Sequence, residues 1–196
     1  MIIFRSILVL VALAVATNMI RASDIYVIDP ARSNIDFLVH QFFGLTKGKF
    51  TQFAGTIEMD RARPEHSSVE AKIEVQTIDT GIRKRDEHLL GPELFDAEKY
   101  PLITFKSRIV KQSSAQTGDI VGDLTMHGVT KPVTLHVELL TPVTEIDAAQ
   151  GTRWSVVCDS IKRRDFNLMF GRTAEAISGI GQEVAVEMTI AAIRTR

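Results

Sequence analysis

Residues 133–139 read VTLHVEL, with Val133, Leu135, Val137 and Leu139 on one parity and Thr134, His136 and Glu138 on the other. Successive side chains of a strand point to opposite faces, so this pattern gives one apolar and one wet face, the habit of antiparallel sheet. The same period runs through residues 69–75 and 184–190, the latter broken only by Ala185. Shorter versions occur at Ile35-x-Phe37-x-Val39, Phe53-x-Gly55-x-Ile57-x-Met59, Phe105-x-Ser107-x-Ile109, Ile120-x-Gly122-x-Leu124-x-Met126 and Trp154-x-Val156-x-Cys158. Turn signals separate them, among them Arg63-Pro64, Thr117-Gly118-Asp119 and His127-Gly128. The expectation is an all-β domain of eight runs. Eight strands closed into an antiparallel barrel leave room for one small ligand, but a two-sheet sandwich would show the same alternation.

One stretch departs from this pattern: TIDTGIRKRDEHLLGPELFDAEKYPLITF, residues 77–105. Asp79 or Thr80 can cap a short helix from Ile82 to Leu90, and Gly91-Pro92 stops it. A second turn fits residues 93–98, and Tyr100-Pro101 returns the chain to an extended run from Leu102. A helical excursion over residues 82–98 is therefore expected as a lid or plug on the sheet.

Residues 1–23 read as a signal peptide. A positively charged start ending at Arg5 precedes the apolar run ILVLVALAVA at residues 7–16. Ten residues fall short of the roughly 20 a membrane-crossing helix needs, but they suit an export leader. The cleavage point is open between the Ala14-Val15-Ala16 run and Ala22-Ser23. Residues 24–196 then form one domain in an exported, periplasmic protein.

Charge and composition exclude several functions. The whole chain carries a net charge of −1, and losing Arg5 and Arg21 with the leader makes the remainder more acidic. Nucleic-acid binders show the opposite balance. Cys158 is the single cysteine, so no internal disulfide forms, and its alternation with Trp154 and Val156 suits a buried apolar side chain. The five histidines are dispersed, with no HExxH motif and no cysteine pair, so no metal site is expected. No Gly-x-Ser-x-Gly elbow or phosphate loop is present, so no catalytic residue is nominated and a binding protein is expected rather than an enzyme. The inward faces nominate Ile35, Phe37, Val39, Phe53, Ile57, Val75, Phe105, Leu124, Trp154 and Phe166 as an apolar interior. Periodicity leaves open whether they pack solid or line a tunnel. Arg83 to His88 is a solvated helix face or, alternatively, the guard of a cavity mouth.

Several motifs then carry a resemblance. Asp29-Pro30 with Ser33-x-Ile35-x-Phe37-x-Val39 is followed by Gly48-x-Phe50-x-x-Phe53-x-Gly55. The centre holds Asp79-Thr80, Arg85-Asp86-x-His88-Leu89, Phe95-Asp96, Tyr100-Pro101 and Thr104-Phe105. Residues 122–133 (GDLTMHGVTKPV) and 162–167 (KRRDFN) follow. Together these resemble the YceI-like family across residues 24–196. The resemblance implies a lipocalin-like barrel rather than a sandwich. It also implies a bound polyisoprenoid, isoprenoid quinone or related fatty chain, with no further cofactor. Where family members carry a histidine at the end of the first strand, this chain has Gln41 or His40, depending on the direction of counting. Gln41, Arg85 and Asp86 are the candidate polar mouth. Each CH₂ moved out of water gains about 0.8 kcal/mol, so a lined tunnel holds a long chain with few hydrogen bonds. A carrier is the first reading. An envelope-stress or respiratory accessory protein with a structural lipid is the second, and a lipid-modifying enzyme the third. Transient contact with the membrane or envelope proteins, and a homodimer, stay open.

Overall fold

Alternation becomes pairing along the whole chain. The computed structural model describes residues 23–41, 44–171 and 179–195. Almost all of the expected leader, residues 1–23, therefore lies outside the described residues. Among the described residues eleven segments form one sheet. They are β1 (Asp24–Ile28), β2 (Asn34–Gln41), β3 (Gly44–Phe50), β4 (Phe53–Met59), β5 (Ser68–Glu74) and β6 (Ile78–Asp79). After helix α1 (Arg83–Leu90) come β7 (Leu102–Gln112), β8 (Thr117–Met126), β9 (Val129–Leu139), β10 (Gly151–Lys162) and β11 (Glu183–Arg194).

The order β1-β4-β5-β7-β8-β9-β10-β11 closes on itself, because β11 returns to β1 with Tyr26 opposite Arg194 and Ile28 opposite Ala192. Every neighbour is antiparallel, from Tyr26 opposite Ile57 to Val156 opposite Met188. Segments β2, β3 and β6 extend β1, β4 and β5 past a bend, so the eleven segments make eight staves of a closed barrel. The bends have local causes. Between β1 and β2, the Asp29 carboxylate accepts the Ala31 N–H at 3.0 Å and the Arg32 Nε–H at 2.6 Å, closing a turn over Pro30–Arg32. Ser33 Oγ then accepts the Ala191 N–H at 2.8 Å, filling the ladder position the bend vacates. Between β3 and β4, Thr77 Oγ1 does the same for the Gln52 N–H at 3.1 Å.

All eight alternating runs are strands in this barrel. β1 and β3 lack the alternation that marks the others. In β1 Tyr26 is fully buried while the apolar Val27 faces out. In β3 the inward positions are Thr46, Gly48 and Phe50, so little apolar signal remains.

The excursion fills a gap in the ladder. β5 pairs with β7 only from Glu74–Leu102 to Glu70–Lys106, and β6 pairs with β3 instead. Residues 80–101 lie across the resulting opening. α1 starts later than the expected cap: its N-cap is Ile82, with no side-chain bond. Asp79 instead accepts the Gly81 N–H at 2.8 Å, in a turn where Gly81 has φ +76°. Gly91 ends the helix as expected, donating to His88 O at 3.2 Å. The second turn buries Leu94 and Ala97 under the helix, closed by Asp96 N–H to Gly91 O at 2.9 Å. Leu89 and Leu90 complete the contact with the barrel core.

Candidate functional site

The barrel is not packed solid. A cavity of ≈ 530 Å³ runs along its interior, a size common among ligand pockets. Its wall draws on the large apolar cluster at the α1 end (Ile35, Phe50, Phe53, Ile78, Leu124) and on the smaller one at the Asp24 end (Leu139, Ile146). Eight of the ten nominated apolar residues stand on that wall: Ile35, Phe37, Val39, Phe53, Ile57, Phe105, Leu124 and Trp154. Register explains why they converge. Phe37 faces Gly48 on β3 and Val186 on β11, while Phe105 faces Leu124 on β8 and Ala71 on β5.

Val75, Phe166 and Asp86 require correction, since none of them is on the cavity wall. Val75 is 1 % exposed and starts the 3-10 turn Val75–Thr77, which takes it out of the strand alternation. Phe166 is 2 % exposed in the turn Arg163–Phe166, where it packs into the core and its carbonyl accepts from His127 Nδ1 at 3.2 Å. Asp86 points its carboxylate at Thr80, accepting the backbone N–H at 3.0 Å and the hydroxyl. Gln41 and Arg85 do line the cavity, whereas His40 is exposed.

The nominated set also missed much of the wall. Val133, Leu135 and Val137 of β9 and Val186, Met188 and Ile190 of β11 line it, at inward positions of runs whose alternation was plain. Phe95 enters from the excursion, with its ring edge-on to Phe50 at 6.4 Å. Arg163 is the least expected lining residue. It is 4 % exposed, sits 5.1 Å from the Phe170 ring, and donates to Gly181 O (2.9 Å), Leu168 O (2.8 Å) and Ile180 O (3.3 Å). Only the KRRDFN stretch pointed toward it.

The two ends of the cavity differ electrically. At the Asp24 end arginines and acids pair directly: Arg61 with Asp24 at 3.0 Å, Arg194 also with Asp24, and Arg63 with Asp60 at 3.2 Å. Burial pushes the Asp60 carboxyl up, but the N–H groups of Arg63 and Ala62 and the Arg63 guanidinium outweigh it and hold the group below the usual carboxylate range. Val143 and Lys111 are exposed yet line the cavity, so it reaches the surface there. At the α1 end Gln41, Thr46, Thr80, Arg85 and Arg163 are the polar members of the wall. Such an interior can hold a long apolar molecule with few directional contacts.

Comparison with known proteins agrees with this architecture. The family model of the YceI-like domain matches residues 26–192. A UPF0312 protein of Pseudomonas savastanoi pv. phaseolicola is 35% identical over 133 residues, covering 64% of this chain and 69% of that protein. The crystal structure of Burkholderia cenocepacia BcnA superposes with a TM-score of 0.74 at 25% identity, over 84% of this chain and 98% of BcnA. A polyisoprenoid binding domain from Saccharophagus degradans, implicated in plant cell wall breakdown, shares the fold with a TM-score of 0.62 at 21% identity, over 86% and 98% of the two chains.

Proposed function

Since the chain belongs to the YceI-like domain family, we propose that it is a lipid-binding protein, not an enzyme, and that it sequesters or carries one isoprenoid-type chain inside its barrel. The cargo is a polyisoprenoid, an isoprenoid quinone or a related fatty chain. One observation carries this reading: the barrel encloses a ≈ 530 Å³ cavity whose wall is made mainly of inward-facing aliphatic and aromatic side chains. A domain with no ligand to hold would gain by filling that space, because interiors pack to crystal-like density and voids cost stability. The fold shared with a polyisoprenoid binding domain supports the same cargo class.

The reading extends to an exported, periplasmic protein, supported by the leader-like sequence of residues 1–23. Native mass spectrometry of the protein purified from its own envelope, followed by solvent extraction, tests the function. A stoichiometric isoprenoid or quinone that exchanges with added lipid is the expected result. A lipid that cannot leave without unfolding would make it structural and favour the accessory role. An empty protein that refuses added polyprenyl lipid would end the proposal.

A further inference from the structure

Arg85 stands on the cavity wall with no direct ion pair among the described residues; the Asp86 carboxylate reaches it only through the Thr80 hydroxyl. Arg85 is half-buried in the first turn of α1. Its Nε donates to Thr80 Oγ1 at 2.7 Å and its Nη2 to Thr80 O at 2.8 Å, both neutral acceptors. The adjacent acid is occupied elsewhere, since Asp86 accepts the Thr80 N–H and hydroxyl. Thr80 thus ties the two side chains together, and among the described residues Arg85 forms no ion pair and its Nη1 no hydrogen bond. At the Asp24 end, by contrast, Arg61 is matched by Asp24. A half-buried guanidinium with Nη1 unbonded among the described residues can take a further acceptor, and its fork suits carboxylate and phosphate oxygens.

Building on the lipid-binding reading above, we propose that the bound lipid carries an anionic head, a carboxylate or a phosphate, which Arg85 receives at the α1 end. The chain then runs toward Trp154, which packs against both the large apolar cluster and the smaller one at the Asp24 end.

Titration through Trp154, the chain's single tryptophan and a lining residue, tests this with lipids matched in chain and differing in head. The pairs are farnesol with farnesyl monophosphate, and methyl palmitate with palmitate. The wild-type protein should bind at least one acidic lipid about tenfold more tightly than its neutral match, the value of a charge-assisted hydrogen bond. Arg85→Met should close that gap, and Arg85→Lys should keep part of it. The wild-type contrast and Arg85→Lys carry the test if Arg85→Met does not fold. Equal affinity within both pairs, or a gap that survives in Arg85→Met, overturns the head assignment and leaves the lipid reading standing. Displacement of farnesyl monophosphate by inorganic phosphate alone would also overturn it, by marking a chain-independent anion site. Failure of all four lipids to bind defeats both readings.

Discussion

The ring of Phe37 lies over the bare backbone of Gly48, its partner across β2 and β3. A Cβ built on Gly48 would meet the ring at 2.2 Å. Phe105 reaches over Gly122 diagonally across β7 and β8, at 2.4 Å, since Gly122 itself is paired with Ser107. In each case the missing side chain leaves room for the end of an aromatic ring against the strand.

Gly48→Ala should therefore drive the Phe37 ring inward. Overpacking of this kind costs about 1–2 kcal/mol, measurable as a lowered denaturation midpoint, and the displaced ring takes up space in the cavity. Lipid affinity should fall with it. Adding Phe37→Leu should recover much of both losses, and the double-mutant cycle reports the coupling.

Phe105→Asp puts a charge on the apolar wall. A protein that remains folded by circular dichroism should lose at least about tenfold in affinity for an uncharged isoprenoid, the value of roughly two buried CH₂ groups. Undiminished retention would mean that this face of β7 does not meet the ligand.

Trp154 lines the cavity, and its Nε1–H donates to Thr152 Oγ1 at 2.9 Å. Its emission should shift on loading with a saturated lipid and be quenched by a quinone. Trp154→Phe should abolish the signal while competition assays still detect binding within a few-fold of wild type. Loss of binding together with signal would make the indole a required contact.

Arg163 holds the carbonyls of Leu168, Ile180 and Gly181 with one guanidinium. Arg163→Met leaves those acceptors short of donors at a cost of about 1–3 kcal/mol. Proteolysis should then increase first at residues 163–171 and 179–181. Uniform destabilisation with no local cleavage would contradict this anchoring role.

Asp60 supplies a pH dependence with a defined sign. Its carboxyl is held below the ordinary value of 3.8 in the folded protein, so its contribution to stability is fully present above that value. It is lost as pH falls through the depressed folded value. Asp60→Asn should be less stable than wild type at pH 7, and the difference should vanish in acid denaturation near pH 2. Asp29 follows the same rule through its hydrogen bond with Arg32, opposed by burial and aided by the Ala31 N–H. A constant difference across the whole range would assign the Asp60 effect to shape rather than charge.

Much of this architecture was legible because a half-buried strand must alternate, and each of the eight alternating runs became a stave. What stayed hidden had local causes. Gly48 occupies an inward position without leaving an apolar mark, and Val27 faces outward without a polar one. Val75 and Phe166 kept apolar identities while 3-10 turns removed them from the wall. Arg163 runs against binary patterning, because its cost is offset by the backbone carbonyls of Leu168, Ile180 and Gly181, which only the folded chain brings together. Asp86 was misplaced for a related reason: a carboxylate one residue from Arg85 satisfies Thr80 instead. Barrel closure itself came from the family resemblance, since strand period cannot distinguish a barrel from a sandwich.

The pairing of β1 with β11, Tyr26 against Arg194, has a consequence in time as well as in space. A ribbon whose first stave must meet its last cannot become a container until nearly all of it has been made. Until then both edges of the sheet are bare and each invites the wrong neighbour. The contacts that complete the vessel are the most distant in the chain, and loop closure on that scale is slow. Nascent chains are thus exposed to mispairing longest at the one seam that makes them hollow.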